Sequence, residues 1–142
     1  MLKENPYMTM PGTSADAQAN KALVKQALHE LFVLRDVSAL ERYWDKNYVQ
    51  HSPLVRNGRE ELARLMKDVP PAFHYEQGTI IGEGDLVVVH GRYSGFWPQP
   101  MIAIDIFRVT NGRIAEHWDV LQEEVPASAT PSGNPMFTPA ST

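Results

Sequence analysis

Asp105-Ile106-Phe107-Arg108-Val109-Thr110-Asn111-Gly112-Arg113-Ile114-Ala115-Glu116-His117-Trp118-Asp119 is two alternating strands around a turn, and their register decides which side chains meet. Asn111-Gly112 fits either a two-residue loop or the end of a three-residue loop with Gly112 left-handed. A two-residue loop pairs Thr110 with Arg113 and puts Asp105 on the face of Trp118. A three-residue loop pairs Val109 with Arg113, setting Asp105 opposite His117 and Ala103 opposite Asp119. The choice is consequential, because a slip of one residue exchanges the two faces. The three-residue loop gathers Ala103, Asp105, Phe107, Ala115, His117, Asp119 and Leu121 on one face. Ile102, Ile104, Ile106, Trp118 and Val120 then form the other, with Glu116 outward beside Arg108. The alternative buries two carboxylates among isoleucines, which is costly, so we take the three-residue loop.

Outward from this hairpin the period stays near two. Residues 72–81 and the Val-rich 86–93 read as strands joined by a turn at Gly82-Glu83-Gly84-Asp85, with a Gly/Pro loop over 95–100. Strands over 101–109 and 113–122 complete a mostly antiparallel sheet of four or more strands. Upstream of Pro70-Pro71 the period is helical. Thr13 and Asp16 resemble a capping box, and Leu23, Val24, Ala27, Leu28, Leu31 and Phe32 follow as one apolar stripe. A second helix is expected over Ser38–Trp44, with Ser38 as cap and Leu40, Tyr43 and Trp44 inward. A third follows Asn57-Gly58, with Asn57 as cap and Leu62, Leu65 and Met66 buried. Helices first and strands later describe an α+β domain over residues 15–125, preceded by a loose arm (1–14) and followed by a Pro/Ser/Thr/Ala-rich tail (126–142).

The chain has 142 residues, a formal charge of −4 and no cysteine. That length suits one domain, burying about 70% of its unfolded surface. Disulfides, thiolate metal sites and cysteine nucleophiles are absent. The acidic balance argues against a nucleic-acid partner, and no apolar run reaches a membrane span. No signal peptide is evident, so a cytoplasmic protein is expected. Both sheet faces need cover. The helices cover one, enclosing a partly polar pocket. The face of Ile102, Ile104, Ile106 and Trp118 is expected to pack on a second copy, as a homodimer.

Asp105-Ile106-Phe107-Arg108, Asn111-Gly112-Arg113-Ile114 and Glu116-His117-Trp118-Asp119 resemble the SnoaL-like polyketide cyclase family. Tyr48-Val49-Gln50-His51-Ser52-Pro53 and Gly84-Asp85-Leu86-Val87-Val88-Val89-His90 are similar to its earlier segments, so the resemblance spans about residues 18–124. It implies the cone-shaped α+β barrel shared by nuclear transport factor two, ketosteroid isomerase and scytalone dehydratase, with three helices on a curved sheet. It also implies a homodimer packed through the sheets. In the cyclases an aspartate on the final strand is the acid/base of an intramolecular aldol closure, without cofactor or metal. That residue corresponds to Asp119. The cyclases' histidine and glutamine on the preceding strand correspond to Asp105 and Ala103, and both differ here.

A base that removes a proton beside a carbonyl needs a pKa near working pH. Burial and a like charge both raise a carboxyl's pKa, so Asp119 and Asp105 suit that chemistry, with His117 assisting. His51, Tyr43, Trp44, Tyr48, His90, Phe107 and Leu121 are the expected substrate-binding residues. The ligand expected is a small apolar or ring-bearing carbonyl compound, and the enzyme a cyclase, isomerase or related lyase. The alternatives are a non-catalytic binding protein, or an epoxide-hydrolase-like activity in which Arg92 stands between two aspartates. No metal or cofactor is expected, since His-x-His and His-x₃-His spacings are missing.

Overall fold

The computed structural model describes residues 14–140. Residues 1–13, and with them the expected arm and the Thr13 cap, lie outside the described residues. Val24, Ala27 and Leu28 are fully buried along one side of α1 (Ser14–Leu28). The chain continues into a π-helical turn, His29–Val33, in which the Leu34 N–H donates to His29 O at 3.0 Å. Leu31 is buried in that wider turn, and Phe32 packs against Phe73, Tyr75 and Tyr93. π turns of this kind recur at functional sites. Arg35, at φ 56°, ends the helix and donates to the carbonyls of Pro70, Pro71 and Phe73.

α2 spans only Ala39–Tyr43. Ser38 does not cap it, because its hydroxyl and N–H are both engaged by Asp36. Trp44, expected in the helix, is instead extended and opens β1 (Trp44–Gln50). α3 (Arg59–Asp68) buries Leu62 and Met66 as its spacing predicts. Its N-cap is Gly58, at φ +96°, since the Asn57 side-chain Oδ1 accepts the Gln50 N–H at 2.8 Å instead.

β2 (His74–Glu83), β3 (Leu86–Ser94), β4 (Met101–Thr110) and β5 (Arg113–Glu123) form antiparallel pairs. β1 adds to β5 in parallel, so the order is β1-β5-β4-β3-β2 and the sheet is mixed and open. The turn between β2 and β3 is tighter than expected, since Glu83 already pairs with Leu86. The concave face contributes Val87, Val89, Phe107, Val109 and Ile114 to the core shared with α1 and α3. Three helices on this five-stranded sheet make the α+β cone expected from the sequence.

The last hairpin corrects one expectation and rescues another. Thr110 pairs with Arg113, so the loop has two residues, Asn111 and Gly112, at φ 51° and 72°. Both left-handed angles belong to the primed turns that match strand twist. The register then shifts between Arg108 and Val109: Val109 faces Ile114 but Arg108 faces Glu116. Ala115 is therefore the extra residue of a β-bulge. Beyond it Asp105 faces Asp119, Phe107 faces His117 and Ala103 faces Leu121, rather than the expected partners. The bulge supplies the one-residue shift that had been assigned to the loop, and the division of faces survives.

Trp118, Ile104 and Val120 lie on the convex face, where Ile81, Ile104 and Val120 remain 59%, 40% and 72% exposed. The tail crosses one end of that face. Phe137 is buried against His90, over Gly78, and the Ala140 N–H donates to Gln77 O. Among the described residues no helix is long and apolar enough to cross a membrane.

Candidate functional site

A cavity of about 250 Å³ lies between the concave face and the helices. Its walls are apolar, from Phe32 beyond α1, Leu62, Leu65 and Met66 of α3, and Phe107 and Leu121 of the hairpin. Leu54 and Phe96 also line it and are exposed, so their loops form the mouth. Trp97 lies against Phe96 with ring centroids 4.9 Å apart. The polar lining is Gln50, Ser52, Tyr93, Asp105, His117 and Asp119.

Hydrogen bonds order these groups. Gln50 Oε1 accepts the Ser52 N–H at 3.0 Å, which identifies it as the amide oxygen. His117 Nδ1, 2.7 Å from the same oxygen, must then carry a hydrogen. His117 Nε2 stands 2.7 Å from Asp105 Oδ1, a contact that needs one proton between the two atoms. Tyr93 donates to Asp105 Oδ2 at 3.0 Å. Burial, and then the Asp105 charge, hold Tyr93 well above its ordinary pKa, so it remains an O–H donor. Asp105 and His117 are both buried, 2% and 7% exposed.

Asp119 is placed differently. Its Oδ1 is buried and has no hydrogen-bond partner. Desolvation raises its pKa above the ordinary value. The Ser52 hydroxyl and His117 oppose that shift, whereas Asp105 adds to it. Because Asp105 and Asp119 are directly paired across β4 and β5, their side chains leave the sheet side by side. One carboxyl is held in a proton-sharing pair while its neighbour faces the cavity with one oxygen unpartnered.

Of the expected residues, Asp105, His117, Asp119, Trp44, Tyr48, Phe107 and Leu121 line the cavity. His51, Tyr43 and His90 do not. His51 follows Gln50 on β1 and so turns to the convex side, where it stacks on Trp118 at 4.8 Å and meets Glu116 Oε2 at 2.7 Å. Glu116 also accepts from Arg108, as expected, and its pKa is lowered, chiefly by the His51 hydrogen bond. The Tyr43 hydroxyl donates to Glu30, tying α2 to the π-helical turn that follows α1. His90 is on the convex side of β3 against Phe137. Arg92, two residues on, is held by Glu124 and Glu76, so the epoxide-hydrolase alternative loses its arginine.

Gln50, Ser52 and Tyr93 were missed. Parity offered a signal for two of them: Gln50 is two residues from Tyr48, and Tyr93 shares the period of Val87 and Val89. The spacing argument against a metal also fails in part. Asp105, His117 and Asp119 bring ligand atoms within 4.8 Å of one another, a set able to hold a divalent ion if the His117–Asp105 hydrogen bond were given up.

A family model described as a SnoaL-like domain matches residues 25–117. No curated protein sequence matches the chain. Among solved structures the chain is similar to a candidate ketosteroid isomerase from Kribbella flavida (TM-score 0.66, 14% identity, covering 76% of this chain and 81% of that one). It is also similar to a candidate polyketide cyclase from Acidithiobacillus ferrooxidans (0.62, 17%, 81% and 92%). A third is IdmH, a candidate polyketide cyclase from Streptomyces antibioticus (0.58, 21%, 72% and 91%). At these identities the likeness is one of fold.

Proposed function

Since the chain belongs to the SnoaL-like domain family, we propose that its cavity is the active site of a cofactor-independent enzyme that uses Asp119 as acid/base on an enolisable carbonyl compound. The observation that carries this reading is the buried, unpartnered Asp119 Oδ1 at the polar wall of an otherwise apolar cavity. Asp119 takes the proton from the carbon beside the carbonyl. The oxygen of the enolate accepts the proton shared by Asp105 and His117, which Gln50 and Tyr93 hold in place. The resulting enol can attack a second carbonyl, an aldol closure, or be protonated elsewhere, an isomerisation. The proton on Asp119 and the vacancy in the Asp105–His117 pair are restored with the product. General acid–base catalysis of this kind contributes roughly 10²–10⁴-fold.

Asp119→Asn should lower turnover of an enolisable ketone by at least about 100-fold while ligand affinity changes little. An unchanged rate would remove Asp119 from the mechanism. The apolar lining equally suits a protein that holds its ligand unchanged. α-Hydrogen exchange into D₂O, followed by NMR, separates the two, since a pure binder leaves exchange at the buffer rate. The same proposal takes the protein as a cytoplasmic homodimer joined through the convex face. The exposure of Ile104 and Val120 there supports the joint.

A further inference from the structure

The lining of the cavity contains two carboxylates and, among the described residues, no lysine or arginine. The sheet's own arginines are committed elsewhere. Arg92 and Arg108 point to the convex side, each paired with two acidic side chains, and Arg113 donates to the carbonyls of Glu41 and Trp44. A carboxylate, phosphate or thioester-linked nucleotide entering this cavity would shed water beside the Asp119 carboxylate, and the net-neutral Asp105–His117 pair would offer it no balancing charge. Taking an ion out of water without a partner costs several kcal/mol, so an anionic ligand is rejected on charge alone. A neutral ketone develops negative charge only at the enolate stage. By then the proton of the Asp105–His117 pair lies next to that oxygen. The site thus discriminates between charge present on arrival and charge formed during reaction.

Size narrows the class further. A dry cavity of about 150 Å³ accommodates benzene. The 250 Å³ here leaves room for one substituted ring or two fused rings, walled by Leu62, Leu65 and Met66 on one side and Phe107 on the other. We propose that the site takes an uncharged one- or two-ring enolisable ketone and rejects anionic ketones and compounds of three or more fused rings. This rests on the acid/base assignment above for the reaction, but not for binding.

Phenylacetone, phenylpyruvate and anthrone test it, since the first two differ chiefly by methyl against carboxylate and the third has three fused rings. Titration calorimetry on the full chain should show phenylacetone binding at least ~100-fold tighter than either of the others. Comparable affinity for phenylpyruvate would overturn the charge argument, and comparable affinity for anthrone the size argument. No binding of phenylacetone up to its solubility would overturn both. In Asp119→Asn the disadvantage of phenylpyruvate should shrink by at least about tenfold, as the one uncompensated negative charge of the lining is removed; an unaltered ratio counts against the proposal. α-Hydrogen exchange is recorded in parallel. Phenylacetone that binds without exchanging would sink the acid/base assignment and leave the ligand class standing. Enzymatic exchange of phenylpyruvate and not of phenylacetone would do the reverse.

Discussion

Asp119 is the residue whose ionisation opposes folding. Its pKa is raised in the folded protein, so between the ordinary value of 3.8 and the raised one the native state holds a proton that the unfolded chain releases. The favourable contribution is complete below the ordinary value and is lost as pH rises through the folded value. At neutral pH the charge therefore costs stability. Asp119→Asn should melt higher than the parent at pH 7, and the difference should fade on acidification toward pH 4. Calorimetry at both pH values checks this, and a variant less stable at pH 7 would mean that Ser52 matters more than burial. Tyr93→Phe should have the opposite sign. It strips the donor from Asp105 Oδ2 in a closed environment, for about 1–3 kcal/mol, readable as a lower urea midpoint.

The bulge at Ala115 is the element on which the site depends. The alternation of apolar and polar residues was legible in the hairpin, and the cost of burying carboxylates chose the correct division of faces. Nothing in the local pattern marks Ala115 as unpaired, so the shift was attributed to the loop instead. β1 was invisible for a different reason. It is an edge strand in which only Trp44 and Tyr48 are buried, its register slips between Trp44 and Val49, and its polar stretch reads as loop. Gln50 went unnoticed with it. His51, expected in the pocket, is one residue further along and so turns to the opposite face, since each step along a strand reverses direction. The loop between β3 and β4 has its own requirement. Gly95 sits at φ +82°, and a Cβ there would stand 2.0 Å from the Ala72 carbonyl oxygen. Gly95→Ala must displace backbone rather than a flexible side chain. It should cost about 2 kcal/mol or more and loosen Phe96 and Trp97 at the mouth. A denaturant midpoint equal to the parent's would show that the loop relaxes freely.

At the scale of the whole molecule the two faces of the sheet have separate tasks. The concave side holds the cavity, and the convex side carries Ile81, Ile104 and Val120 in solvent. Charge placed on the convex side should separate subunits without touching the cavity. Val120→Lys is expected to sediment as a monomer where the parent sediments as a dimer, with ligand affinity retained. A parent that is already monomeric at micromolar concentration would dispose of the interface.

Phe137 fastens the tail to the convex side, against His90 and over a glycine whose replacement would strike it. The last described residues therefore leave the body at the edge of the surface assigned to subunit contact, on the side of the sheet away from the cavity. For anyone handling the protein this dictates where to attach things. A C-terminal tag or surface anchor would leave ligand entry undisturbed and would compete first with assembly, so immobilised protein is better suited to binding measurements than to measurements of stoichiometry.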